Sequence, residues 1–149
     1  MTRPFSDGQI LTAGSMNADT ASVNVLPIFA TAGSTEGAGT FASLMTTTQV
    51  FRANSRFVID FRGGFTNDTA NGGVEIRLQF SGTNVGVDIN ETSATASQGF
   101  HVSNLAGSTV ASTGSYDITV QFRRQSAGIV TAAGRALMVW EILPSGTFV

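Results

Sequence analysis

The chain contains no cysteine and, because all eight of its Lys+Arg positions are arginine, no lysine. The first absence removes disulfides, thiol nucleophiles, cysteine-bound zinc and iron–sulfur ligation together, and leaves the redox compartment open. The second accompanies a general scarcity of charge: 12% of the residues are charged, against about 25% in ordinary soluble domains. Ser, Thr, Ala, Asn and Gly fill the polar positions instead, so the surface is unusually neutral. A net charge of −2 offers no basic footprint for nucleic acid. No apolar run approaches the roughly 18 residues of a membrane span, and the N-terminus has no basic region followed by a continuous apolar stretch. The chain therefore reads as soluble, without a standard export signal, and with neither nucleic acid nor membrane as a partner.

What is present is alternation. At 149 residues the chain is one domain with enough length for a proper core. In RFVIDFRG, Phe57, Ile59 and Phe61 face one way and Val58, Asp60 and Arg62 the other. Val74, Ile76, Leu78 and Phe80 oppose Glu75, Arg77 and Gln79; Val85, Val87 and Ile89 oppose Gly86, Asp88 and Asn90; Tyr116, Ile118, Val120 and Phe122 oppose Asp117, Thr119, Gln121 and Arg123. A period of two with one apolar face is the pattern of half-buried strands. FTNDTANGG, SGTN and STGS separate these blocks and supply the Gly and Asn that positive-φ turns need. ASVNVLPIF, TFASLMTTTQVF and GFHVSNL are weaker strand candidates, and Pro27 puts the first near an edge or bend. RALMVWEIL is apolar on both faces and should be covered on both, by the opposite sheet and by an arm, loop or neighbouring chain. Eight to ten short strands without a long helix predict an all-β fold, a two-sheet antiparallel sandwich of jelly-roll type.

Chemistry-bearing residues are sparse. His101 is the single histidine and alternates outward, and no GxSxG elbow provides a nucleophile. Asp60, Glu75, Asp88 and Asp117 could form carboxylate pairs across strands, but they read as solvated strand faces paired with Arg62, Arg77 and Arg123. Asn67, Asp68 and Asn71 could offer oxygen ligands in TNDTANGG, yet the segment lacks the spacing and the late glutamate of a calcium loop and reads as a turn. No glycine run fits a phosphate-binding strand, loop and helix. Glycan binding usually uses exposed aromatic platforms, whereas Trp140 lies in the most apolar strand and Tyr116 is in phase with core residues. The expectation is no catalytic residue, no metal and no cofactor.

The N-terminal FSDGQILTAGSMNADT has neither periodicity and carries Phe5, Ile10, Leu11 and Met16 among polar and small residues. Such a segment could order by docking across a neighbour, or it could cover the bottom of its own sandwich. The expected organisation is an arm at 1–18 and a sandwich at 19–149. Arg123 and Arg124 at a strand end, and Phe148 and Val149 beyond the last strand, are further candidate interface residues.

Two segments carry a resemblance. Gly8, Leu11, Thr12, Ala13 and Asn17 resemble the G-x-x-L-T-A-x-x-x-N leader near the N-termini of many tailed-bacteriophage fibre and virion proteins. STGSYDITVQFRRQSAGIVTAAGRALMVWEIL resembles the closing strands of phage jelly rolls of the broad C1q/TNF-like shape, with an Arg-bearing turn before a Leu-rich last strand ending in Glu. Phage fibres usually carry long repetitive shafts after such a leader; this chain passes directly into a compact domain. The resemblance thus implies a non-enzymatic virion protein, assembled in the host cytoplasm: a capsid decoration or cement protein that stabilises the head by bridging subunits of the major capsid protein. A tail-fibre or collar knob that binds a host surface receptor or glycan is the alternative. The resemblance also implies a homo-oligomer, most commonly a trimer.

Overall fold

The computed structural model describes residues 23–30 and 33–143, which form nine strands. They are β1 (Val23–Ala30), β2 (Ser34–Glu36), β3 (Ala42–Phe51), β4 (Arg56–Asn67), β5 (Gly72–Phe80), β6 (Thr83–Ser93), β7 (Phe100–Thr109), β8 (Gly114–Arg124) and β9 (Val130–Ile142). The arm residues Phe5, Ile10, Leu11 and Met16, the boundary at residue 18, and Phe148 and Val149 lie outside the described residues.

The strands pair as a folded ribbon. The first half of the chain pairs antiparallel with the second, β1 and β2 with β9, β3 with β8, β4 with β7, and β5 with β6. The ribbon then wraps so that β4 also pairs with β9 and β5 with β8. Two sheets result, one ordered β1-β9-β4-β7 with β2 on the β9 edge, the other β3-β8-β5-β6. That wrapped order is a jelly roll. β1, carrying Pro27, is an edge strand, where a missing backbone N–H costs no ladder bond.

The alternation places the core as the sequence predicts. Phe57, Ile59, Phe61, Val74, Ile76, Leu78, Ile118, Val120 and Phe122 are all buried between the sheets. Phenylalanine fills two ends of this layer. Phe57 stacks on Phe80 with ring centroids 4.1 Å apart, beside Phe51 and Tyr116; Phe65 lies 6.4 Å from both Phe61 and Phe122 at the other end. Ser81 and Gly82 take φ of 48° and 77°, the two consecutive positive values of a two-residue hairpin, and Asn71 takes 59°. In NGG it is thus asparagine that turns the chain. Gly72 is required for closeness, since a Cβ there would meet the Asn67 side chain at 2.3 Å.

Val87 departs from the expectation. It is 69% exposed, because β6 is irregular opposite Arg77: Ile76 pairs with Ile89 and Leu78 with Val85, leaving Gly86, Val87 and Asp88 against one residue of β5. Gly86 adopts φ 74°, and a Cβ on it would touch the Ala106 Cβ at 2.8 Å. The bulge swings Val87 outward while Val85 and Ile89 keep the core phase.

Candidate functional site

The face of the β1-β9-β4-β7 sheet that points away from the core is the most distinctive surface. Register fixes its rows: Phe29, Ala136, Arg62 and Ser103 lie side by side; Pro27, Met138, Asp60 and Leu105 form the next row; Trp140, Val58 and Gly107 the next; and Ile142, Arg56 and Thr109 the last. No described strand packs over these rows. RALMVWEIL is therefore covered on its inner face, where Leu137 and Val139 are fully buried, and only half-buried at Met138 and Trp140 on the outer face. Phe29 is 73% and Leu105 64% exposed. Isolated exposed apolar residues are ordinary; a sheet face that gathers Phe29, Met138, Val58, Trp140, Leu105 and Ile142 is not.

Shallow depressions run along the β4–β7 seam of this face. One of about 370 Å³ lies between Phe29, Arg62 and His101. Others of about 320 and 230 Å³ flank Arg62 and Ser103, and one of about 390 Å³ lies against Val58, Gly107 and Ile142. They exist because small residues interrupt the rows. Gly64 puts no side chain beside His101, and Gly107 puts none beside Val58. Asp60 is 6% exposed, not solvated as the alternation suggests, and accepts from Arg62 Nη2 at 3.1 Å. His101 stands exposed on the seam, in the outward phase the sequence gives it.

The opposite outer face is closed by its own charges. Arg123 Nε donates to Glu75 at 2.5 Å, and Arg77 donates from Nε and Nη2 to Asp88, the latter at 2.6 Å. Both guanidinium carbons lie over the Phe41 ring, 3.8 Å from its centroid for Arg77 and 4.4 Å for Arg123. The hydrogen bond from Arg77 holds the Asp88 carboxyl below its ordinary value, against an opposing effect of burial. Asp117 accepts from Thr48 Oγ1 at 2.6 Å. The expected arginine partners are thus in place, but Glu75, like Asp60, is buried. Asp60 sits on the other side of the sandwich from Glu75, Asp88 and Asp117, so it shares no site with them.

Arg123 and Arg124 point to different surroundings. Arg123 joins the Glu75 and Phe41 cluster, while Arg124, in phase with Phe122, is half-buried under the turn at Gly39. Among the described residues no group of three or more His, Asp or Glu side chains is placed to hold a metal ion. Asn67, Asp68 and Asn71 instead tie loops together: Asn67 Nδ2 donates to Ala127 O at 2.9 Å, and Asp68 Oδ1 accepts from Ile129 N at 2.8 Å.

The outer-face rows were not foreseen as a unit. Leu105 carries the signal that could have found them, since it shares the outward phase of His101 and Ser103 in FHVSNLAG. Asn104 was also missed. Buried at 2% exposure, it joins the sheets by donating to Ile76 O at 3.3 Å and Val87 O at 3.2 Å.

No protein-family model matches the sequence, and no curated protein is significantly similar to it. Among solved structures, a mutant VP2 protein of infectious bursal disease virus, from derived T=1 particles, is similar over 98% of this chain and 41% of its own, with 10% identity and a TM-score of 0.52. Dimeric latent PorU from Porphyromonas gingivalis is similar over 82% of this chain and 13% of its own, with 10% identity and a TM-score of 0.51. The chain spans well under half the length of each. At these identities the likeness is one of fold, a jelly-roll β-sandwich shared with a viral VP2 protein.

Proposed function

We propose that this chain is a virion structural protein, a jelly roll that decorates a tailed-phage head and reinforces it by bridging shell subunits. The observation that carries the reading is the open outer face of the β1-β9-β4-β7 sheet. A domain this poor in charge, with Phe29 73% and Leu105 64% exposed beside half-buried Trp140 and Met138, is built to be covered by other chains. Burying such a face contributes roughly 25 cal/mol per Å² of apolar surface before the costs of association. The VP2 likeness adds a viral setting in which this fold occurs, and the Gly8 to Asn17 leader motif favours a tailed phage. The reading is of a non-enzymatic protein, in which Asp60, Glu75 and Asp88 serve as ion-pair partners of Arg62, Arg123 and Arg77.

A fibre or collar knob that binds a host glycan is the second reading. The depression between Arg62, His101 and Ser103 favours it, because it offers polar groups to sugar hydroxyls. Co-sedimentation of the purified protein with empty phage shells, and in parallel with whole host cells, separates the two. Saturable, stoichiometric binding to shells alone is expected. Binding to cells alone would overturn the decoration reading in favour of the knob.

A further inference from the structure

The open face has a candidate occupant in the chain itself. We infer that the leader, residues 1–22, of one copy lies along the β4–β7 seam of a second copy and covers its exposed apolar rows. This deepens the assembly half of the reading above and does not depend on what shell the protein decorates.

Position comes first. The leader joins β1 at Val23, in the row of Ile142, Arg56 and Thr109, at the end of the outer face where the depression against Val58 and Gly107 begins. β1 runs from there along the sheet toward Ala30. Extended, the nine residue steps from Val23 back to Gly14 span at most roughly 30 Å. That length is enough to reach a neighbouring copy.

Length and chemistry agree. Twenty-two residues span at most roughly 75 Å, ample for a seam from Arg56 to Gly64 that is about 26 Å long. Phe5, Ile10, Leu11 and Met16 supply apolar side chains to a face that presents Leu105, Val58 and Phe29. Charge is complementary as well. The leader carries Asp7 and Asp19 against Arg3, whereas the seam carries Arg56 and Arg62 against Asp60. Arg62 has 67% of its side chain exposed while its partner Asp60 is sheltered, so it retains donors for an incoming carboxylate.

Because the chain has no cysteine, engineered thiols report the contact cleanly. Full-length Leu11→Cys and full-length Leu105→Cys proteins would be mixed and oxidised, with Leu11→Cys plus Val50→Cys as the reference, Val50 being 63% exposed on the other sheet. Disulfide-linked heterodimers in the first mixture, several-fold above the second, are the expected result. Equal yields in the two mixtures would overturn the inference. So would a Leu11→Cys, Leu105→Cys double variant whose disulfide forms only within single chains. Sedimentation of Leu11→Asp and Leu105→Asp proteins gives a second readout. Each should self-associate about tenfold more weakly, the effect of losing one leucine-sized contact, with unchanged circular dichroism. Unchanged association in both would also overturn it. Shell co-sedimentation is measured separately, so cross-linking without shell binding would sink only the decoration reading.

Discussion

Arg77 and Asp88 meet across the β5–β6 bulge, with Nη2 2.6 Å from Oδ2 and Nε 3.1 Å from both carboxylate oxygens. The bulge that turns Val87 to solvent also sets Asp88 opposite Arg77, so one backbone irregularity produces both the exposed valine and the ion pair. The carboxyl is held below its ordinary value by that hydrogen bond. A depressed folded-state value means that the stabilisation is present above the unfolded value of about 3.9 and is lost as pH falls through the lower folded value. Asp88→Asn should therefore cost about 1 kcal/mol at neutral pH, and the gap to wild type should shrink below about pH 4. Thermal melts from pH 7 to pH 3 check this; a gap that stays constant across the range would sink it.

Phe57 is 1% exposed and stacks on Phe80. Its removal leaves a ring-sized void between two sheets that cannot both close on it, so Phe57→Ala should cost about 3–5 kcal/mol in urea unfolding. Val50, 63% exposed on the edge strand β3, should tolerate alanine within about 0.5 kcal/mol. Comparable losses at the two positions would contradict the core assigned here.

These two predictions differ in how far the sequence foretold them. Phe57, Ile59 and Phe61 declared their face through simple alternation, because a strand with one wet side must repeat every second residue. That they form a two-sheet sandwich follows from the number of such strands and their turns. The pairing of β9 with both β1 and β4 does not, since local alternation carries no information about which distant strand lies alongside. The outer face was hidden for that reason: Phe29 and Leu105 become members of one surface only once β1, β9, β4 and β7 are known to be neighbours. Asp60 and Glu75 looked solvated because alternation assigns a side, not an exposure. Their arginine partners, named from the sequence, are what make their burial tolerable.

The loop end of the sandwich is organised by Asn67, which is fully buried, donates to Ala127 O and accepts from Thr69 N. Asn67→Ala should cost about 1–3 kcal/mol by leaving those backbone groups unpaired. Gly72→Ala should cost a similar amount, about 1–3 kcal/mol of overpacking, because its Cβ would collide with the Asn67 amide. The two should not add. With the amide gone the new methyl has space, and the double variant should be at least about 1 kcal/mol more stable than the sum predicts. A double-mutant cycle by urea unfolding measures the coupling; additive losses would show that the two residues do not compete for one volume.

Gly86 and Gly82 separate two costs that glycine substitutions usually confound. Both have φ near +75°, at 74° and 77°, so alanine at either must enter the left-handed region, at about 1 kcal/mol. They differ in surroundings: a Cβ at Gly82 meets nothing within 4 Å, while one at Gly86 lies 2.8 Å from the Ala106 Cβ across the two sheets. Gly82→Ala should therefore show the backbone cost alone, and Gly86→Ala should lose a further 1–3 kcal/mol or so from forcing β6 away from β7. Ala106→Gly removes the obstructing methyl and should recover most of that excess in the Gly86→Ala background, though it destabilises the wild-type chain slightly. Recovery would locate the strain at the β6–β7 corner, where Asn104 also joins the sheets. If Ala106→Gly failed to rescue, the bulge would be sensitive to φ alone, and the close approach of Gly86 to Ala106 would have no part in fixing the position of Asp88 against Arg77.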